Sequence, residues 1–139
     1  MLIGEYYHSI DEKGRIMVPV KFRNDFAGKI YVTRGLDGCL FVFGEKEWNE
    51  LSERIKSLKM ADATPVIRFF WNGASETECD KQGRILIPQN LREYAGLTKD
   101  AVFAGSATRA EIWDKEKWTG YEKNLVSDNI GEIMSKIGL

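Results

Sequence analysis

Hydrophobic and polar residues alternate along several short stretches of the chain, a pattern typical of half-buried β-strands. Residues 3–10 and 75–79 are predicted strands, and each leads into a short charged turn. After these turns, Ile16 and Val18 in the first case and Ile85 and Ile87 in the second fall on one face of a strand. Four more strands are predicted, within residues 29–35, 38–43, 100–105 and 110–114.

Apolar residues three or four positions apart predict helices between these strands. Pro19 and Pro88 are expected at the first position of two short helices, with Gly28 and Gly96 as stop signals. Two longer amphipathic helices are predicted from apolar positions at Trp48, Leu51, Ile55 and Leu58, and at Trp118, Tyr121 and Leu125.

A further helix is predicted between the two sets of elements, with Thr64 as its cap and Pro65 in its first turn. Its segment VIRFFW (residues 66–71) and the tail NIGEIMSKIGL (residues 129–139) are both strongly apolar. We expect one or both to pack between subunits, the alternative being that they cover the core of their own chain.

The two sets of elements are copies of one unit. With a shift of 69 positions, DEKGRIMVPVKFR (residues 11–23) aligns with DKQGRILIPQNLR (residues 80–92), with six identities in thirteen. The predicted organisation is a first half at residues 1–60, a connecting helix at 61–74, a second half at 75–128 and a C-terminal helical tail at 129–139.

The repeated motif DxxGR predicts a β-hairpin with a three-residue loop. Gly14 occupies the left-handed position that closes such a loop, and Gly83 occupies it in the second copy. The aspartate and the arginine then lie opposite each other, close enough for an ion pair. One such pair is most simply a surface contact that contributes little to stability. Because the arginine recurs in both copies, although a turn does not require it, we favour a function for it.

Composition is that of a soluble globular protein. The chain has 139 residues, 43% hydrophobic and 29% charged, enough for one compact domain or two small fused ones. Neither an apolar run of membrane-spanning length nor a signal peptide is recognisable, so a cytoplasmic protein is expected. The net charge of the chain is −1, but its N-terminal segment is basic, since residues 1–36 contain six basic and four acidic residues.

The chemistry of the side chains predicts no enzyme, metal site or cofactor. The single histidine, His8, and two cysteines 40 residues apart, Cys39 and Cys79, provide too few ligands for zinc and no paired nucleophile and base. The cysteines are expected to be reduced, structural residues. No small-molecule substrate is expected either.

Three segments resemble the successive signature blocks of MraZ proteins: GEYYHSIDEKGRIMVPVKFR, GASETECDKQGRILIPQNLREYAGL and EIWDKEKW. The resemblance covers nearly the whole chain. It implies an α+β fold, a double-split β-barrel of the swapped-hairpin type shared with AbrB and MazE-like DNA-binding proteins, here built from two tandem pseudo-twofold halves.

The resemblance also implies a function. MraZ proteins are bacterial transcriptional regulators that bind short direct repeats in double-stranded DNA upstream of the division and cell wall gene cluster. They repress that cluster and their own gene, and they assemble into rings. A homo-oligomer associated with the nucleoid is therefore expected. The alternative is an antitoxin-like module that binds a protein partner and binds DNA only secondarily.

The DNA-binding residues follow from matching the motif. Arg15 and Arg84 are predicted to read guanine, while Lys13, Lys21 and Arg23 are predicted to contact phosphates. Gln82 stands where the first half has Lys13, so the two hairpins are expected to contribute unequally. The complete predicted set is Asp11, Lys13, Gly14, Arg15, Lys21, Arg23, Asp80, Gln82, Gly83, Arg84 and Arg92.

Overall fold

The computed structural model of the chain describes residues 1–126 and 129–139, and it confirms the α+β class. The strands are β1 (Glu5–Ser9), β2 (Arg15–Met17), β3 (Ile30–Arg34), β4 (Leu40–Gly44), β5 (Ser75–Thr77), β6 (Arg84–Leu86), β7 (Asp100–Ser106) and β8 (Arg109–Asp114). The helices are α1 (Val20–Arg23), α2 (Glu45–Lys56), α3 (Met60–Phe70), α4 (Gln89–Ala95), α5 (Lys115–Leu125) and α6 (Ile130–Ser135).

The two copies of the repeat exchange their N-terminal strands. Six strands form an antiparallel sheet in the order β1-β7-β8-β4-β3-β5, so β1 lies on the hairpin of the second copy and β5 on that of the first. The remaining strands, β2 and β6, pair with each other in a two-stranded antiparallel ribbon. Each hairpin that carries a DxxGR turn is therefore anchored in the opposite half of the chain.

Two clusters of buried side chains lie on opposite faces of the six-stranded sheet, because successive side chains of a strand point to opposite faces. In β4, Leu40 and Val42 belong to the first cluster, whereas Phe41 and Phe43 belong to the second. The β2–β6 ribbon and helices α1 and α4 cover the first face, and α2 and α5 cover the second.

The predicted inward positions are confirmed. The ribbon buries four β-branched side chains, namely Ile16, Val18, Ile85 and Ile87, all at most 1% exposed. Helix α1 adds Phe22, the loop after it adds Phe26, and α4 adds Leu91 and Ala95. Trp48 and Trp118, one from each long helix, are buried in the second cluster. The two tryptophans are thus core residues, whereas Tyr121 of α5 is 37% exposed.

The prediction for the connecting helix was wrong in its start and end. Helix α3 begins at Met60, so Thr64 is an interior residue whose hydroxyl donates to the Met60 carbonyl, at 2.9 Å. Pro65 lies inside the helix and not in its first turn. The helix tolerates a proline that cannot donate a backbone hydrogen bond, since Phe70 and the following Trp71 pack against the second cluster. It ends at Phe70, four residues before the predicted end.

Smaller differences concern other boundaries. Pro19 and Pro88 occupy the position just before α1 and α4, one residue earlier than predicted, while Gly96 ends α4 in the left-handed conformation as predicted. Residues 127 and 128, where the second half was predicted to end, lie outside the described residues. The division into two halves and a tail stays a prediction.

The two cysteines are free, as predicted. Cys39 is fully buried in the second cluster, where its thiol donates to the Leu36 carbonyl at 3.2 Å. Burial raises the pKa of the Cys39 thiol to about 12, so this residue is an inert core side chain at neutral pH. Within residues 1–126 and 129–139, none of the helices has the length and apolar character needed to cross a membrane.

Candidate nucleic-acid interface

The two DxxGR motifs meet on the β2–β6 ribbon. Ile16 pairs with Ile85 at its centre, with Arg15 opposite Leu86 on one side and Met17 opposite Arg84 on the other. Since the isoleucines point into the core, the two arginines, Met17 and Leu86 share the outward face. A spacing of 69 residues in the sequence thus becomes one surface with two arginines at diagonal positions.

Each turn has the predicted geometry. In the first, the Asp11 amide donates to the Arg15 carbonyl at 3.0 Å, and Gly14 closes the loop with a φ of 84°. In the second, the Asp80 amide donates to the Arg84 carbonyl at 2.8 Å, and Gly83 has a φ of 82°. These positive φ values are a region that residues with a Cβ rarely adopt, so both glycines are structural requirements.

The aspartate of each motif uses its two oxygens for different tasks. Asp11 Oδ1 accepts the backbone amides of Lys13 and Arg15 at 3.0 and 2.9 Å, while Oδ2 accepts the Arg15 Nε at 2.7 Å. Asp80 repeats this arrangement with Gln82 and Arg84, its Oδ2 accepting Arg84 Nε at 3.0 Å. One oxygen builds the turn and the other orients the arginine.

The two motifs also contact each other, and they do so asymmetrically. Arg84 Nη1 lies 3.7 Å from Asp11 Oδ2, so Asp11 faces both arginines. Among the described residues no ion pair joins Arg15 to Asp80 in return. The side chains of Arg15 and Arg84 remain 32% and 26% exposed, so both stay accessible to a ligand.

Hydrogen bonds from the turns lower the pKa of both aspartates below the ordinary value of 3.8. The largest cause of the lowered pKa of Asp11 is the hydrogen bond from the backbone amide of Arg15. The hydrogen bond from the Arg15 side chain lowers this pKa further. For Asp80 the backbone amide of Arg84 plays the same part. Both carboxylates are therefore charged at neutral pH and hold their arginines by charge-assisted hydrogen bonds.

Two further predicted residues lie behind the turns. Arg23 donates from Nε to the Val18 carbonyl at 3.0 Å, and its guanidinium packs against Gly83 of the opposite repeat. Arg92 donates in the same way to the Ile87 carbonyl at 2.9 Å and packs against Gly14. A Cβ on Gly14 would lie 2.8 Å from the Arg92 guanidinium carbon and 3.0 Å from the carbonyl oxygen of Ile87.

Exposed lysines lie in the turns and on α1. Lys13 lies in the loop of the first turn, and Lys21 lies on α1, both exposed to solvent. Gln82 is exposed in the second turn, but so is its neighbour Lys81, which the sequence comparison missed because Lys81 aligns with an acidic residue, Glu12. The sequence DKQGR itself shows this lysine, directly after the aspartate. The second turn therefore presents a cation one position earlier than the first.

These features define a class: a small mixed α+β protein that presents a rigid, two-stranded ribbon with paired arginines. The family model described as "MraZ protein, putative antitoxin-like" matches residues 1–68 and 70–135. The chain is 49% identical over 143 residues to the transcriptional regulator MraZ of Acetivibrio thermocellus, and 50% identical over 142 residues to that of Clostridium beijerinckii. Both alignments cover 100% of each chain. The chain belongs to the MraZ family.

One solved structure also shows a weak likeness. The solution structure of PHS018 from Pyrococcus horikoshii matches 81% of this chain and 88% of its own, with a TM-score of 0.35 and 13% identity. This TM-score and this identity are too low to support a conclusion about the fold or the site.

Proposed function

We propose that this protein is a DNA-binding transcriptional regulator that inserts its β2–β6 ribbon into the major groove. The observation that carries the proposal is the pair of aspartate-oriented arginines, Arg15 and Arg84, on the outward face of one ribbon. The major groove is wide enough for a two-stranded ribbon, and there each base pair presents a distinct pattern of donors and acceptors. The relatives in Acetivibrio thermocellus and Clostridium beijerinckii are named transcriptional regulators, which supports this proposal.

Arg15 and Arg84 are the base-reading residues in this proposal. Each uses Nε to bind its own aspartate, which leaves terminal N–H groups of the guanidinium for a ligand. Such a fork matches the O6 and N7 acceptors of guanine, the commonest specific contact in the major groove. The aspartates hold the arginines in position before binding, which reduces the entropy lost on contact.

Phosphate contacts are assigned to the exposed lysines that flank the ribbon. Lys13, Lys21 and Lys81 have solvent-exposed side chains. Arg23 and Arg92, predicted as DNA-contacting residues, have half-buried guanidinium groups bonded to backbone carbonyls. We assign them mainly to support of the two turns.

The architecture that we propose for the barrel is the double-split, swapped-hairpin type. The exchange of β1 and β5 between the repeats and the central pairing of β2 with β6 support this assignment. The ribbon then lies on the pseudo-twofold axis, where both repeats contribute one strand.

The biological role that we propose is repression of the division and cell wall gene cluster, together with the protein's own gene, at the nucleoid. Short direct repeats would be bound by a ring-shaped oligomer, whose several ribbons provide avidity to a subunit with a net charge of only −1. Apolar side chains near the C-terminus support assembly, with Ile133, Met134 and Ile137 being 53%, 41% and 77% exposed. Light scattering of a chain truncated after Leu125 tests this: a smaller particle is expected, and an unchanged one removes the tail from the interface.

Binding to DNA from just upstream of the protein's own gene tests the core of the proposal. Wild type should prefer this fragment to a scrambled one, and Arg15→Ala should lower the cognate affinity by about 1–3 kcal/mol with little change in melting temperature. The matched control is Arg54→Ala, at an exposed position on α2. Loss of thermal stability by many degrees with an unchanged affinity ratio would show that the motif is only a structural clasp.

A second candidate is the antitoxin-like module, which the description of the family as antitoxin-like favours. In that case the exposed face of the ribbon binds a protein. A pull-down with wild type and with Arg15→Ala separates the two functions, since a stoichiometric protein partner lost with Arg15, without any preference for the upstream fragment, supports the module.

A further inference from the structure

An apolar side chain lies beside the arginines on the outward face of the ribbon. Leu86 is 49% exposed on the outward face, although all its neighbours there except Met17 are charged. An apolar side chain exposed on a proposed DNA-reading surface is unusual, since charged and polar groups make most contacts with DNA.

Its counterpart in the first repeat, Met17, has a different environment. The Met17 sulfur accepts a hydrogen bond from Arg23 Nη2 at 2.9 Å, and the side chain is half-buried. The repeat therefore supplies one apolar side chain that is held by the protein and one, Leu86, that projects into solvent. Pseudo-twofold symmetry is broken at this position.

The register of the ribbon places Leu86 beside both arginines. The Ile87 amide donates to Gly14 at 2.8 Å and the Val18 amide donates to Gly83 at 2.9 Å. By the alternation of antiparallel pairs, Arg15 and Leu86 form a pair without hydrogen bonds between them, the kind in which side chains approach most closely. Arg84 lies two residues before Leu86 on the same strand and the same face, roughly 7 Å away.

The major groove offers one apolar group to such a side chain. Thymine carries a C5-methyl there, whereas cytosine, guanine and adenine present only polar edges and ring C–H groups. We propose that Leu86 contacts the C5-methyl of a thymine next to the guanine that Arg15 reads, and that this contact contributes to sequence preference. The inference rests on the proposed function, because it requires the ribbon to lie in the major groove.

The test replaces thymine by deoxyuridine, which lacks only this methyl group. The upstream fragment is amplified with either nucleotide, and both versions are titrated with wild type. Burial of one methyl group predicts about three- to fivefold weaker binding to the deoxyuridine fragment for each contacted thymine. Replacing single thymines then locates the contact, which should lie next to a guanine.

Two variants connect the effect to Leu86. Leu86→Ala should bind the two fragments equally, while Leu86→Met, which restores an apolar side chain of similar length, should recover the preference. The matched control is Leu36→Ala, which changes a leucine that is 60% exposed in the turn between β3 and β4 and should leave the preference unchanged. The wild-type comparison does not depend on the folding of any variant.

The failure of this inference is distinguishable from the failure of the proposed function. If wild type prefers the upstream fragment to a scrambled one but binds the thymine and deoxyuridine versions equally, the Leu86 contact is wrong and DNA reading stands. The same conclusion follows if Leu86→Ala keeps the full preference for thymine. If wild type shows no preference for the upstream fragment, both proposals are wrong.

Discussion

The two DxxGR turns have the same backbone and different surfaces. Their closing hydrogen bonds, from Gly14 to Asp11 and from Gly83 to Asp80, are 3.0 and 2.9 Å long, and the aspartates bind the same two amides in each. The loop residues differ, since the first turn exposes Glu12 and Lys13 where the second exposes Lys81 and Gln82. The backbone geometry of the turn is thus the same in both repeats, because the loop requires it, whereas the charges of the exposed loop residues differ.

The difference affects what each turn offers to DNA. Gln82 aligns with Lys13, and this substitution predicts that the two hairpins contribute unequally. The exposed loop of the second turn has a net charge of +1 from Lys81, whereas Glu12 and Lys13 cancel in the first. The first turn has its own advantage, since Asp11 contacts both arginines. We therefore expect the two turns to make different contributions. The first turn mainly orients the arginines, and the second mainly attracts phosphate.

The largest expected effect comes from the glycines. Alanine at either position adopts an unfavourable positive φ, which costs about 1–3 kcal/mol of stability. Gly14→Ala should cost more than Gly83→Ala, because its Cβ also meets the backbone carbonyl of Ile87, whereas the three atoms nearest a Cβ at Gly83 all belong to the end of the Arg23 side chain. Urea denaturation measures both, with Gly131→Ala, where nothing lies within 4 Å of the added Cβ, as control. Equal losses would mean that Arg92 and Ile87 adjust as easily as Arg23 does.

The next effect separates the aspartates. Asp11→Asn and Asp80→Asn keep the oxygen that accepts the turn amides and lose the negative charge that faces the arginines. Asp11→Asn should lower the ratio of cognate to scrambled affinity by roughly two- to fivefold, the range that exposed ion pairs span. Asp80→Asn should lower it less, because among the described residues Arg84 is the one arginine that pairs with Asp80. A larger loss for Asp80→Asn would contradict the central position of Asp11.

Smaller effects are expected from the lysines. Lys81→Ala and Lys13→Ala should each weaken binding to cognate and scrambled DNA alike, and each should reduce the slope of log K against log salt by about 0.9 if the lysine neutralises one phosphate. Lys46→Ala, on the exposed side of α2, is the control. An unchanged slope for Lys81→Ala, with a reduced one for Lys13→Ala, would show that Lys81 makes no phosphate contact and that the first turn alone contributes one through its loop lysine.

The smallest effect is a pH dependence of stability. Because the folded-state pKa values of Asp11 and Asp80 are lowered from 3.8, both groups stabilise the fold at pH values above 3.8, and this contribution is lost as the pH falls through the lowered values. Melting temperatures measured from pH 6 to pH 2 should therefore fall less steeply for the double variant Asp11→Asn, Asp80→Asn than for wild type. Parallel curves would show that other carboxylates dominate the acid response.

Much of the candidate site was predictable from local sequence. A glycine three residues after an aspartate, followed by an arginine, specifies the loop, its positive φ and the ion pair, because all these contacts span at most four residues. The alternation of Ile16 with Val18 and of Ile85 with Ile87 specified the buried face in the same way. The helix that connects the repeats was less predictable, since packing of Phe70 and Trp71 outweighs the usual preference of Pro65 for a first turn.

The sequence by itself determined the repeat, the two turns and the inward faces of their strands, since these depend on short-range backbone geometry and on burial of alternate side chains. Only the tertiary structure decided which side chains of the two copies meet: Arg84 with Asp11, Arg92 with Gly14, Arg23 with Gly83, and Leu86 with Arg15. These partners are about 60 to 80 positions apart along the chain. Their contacts follow from the pairing of β2 with β6, which is set by packing of both repeats around one core and which no local pattern encodes.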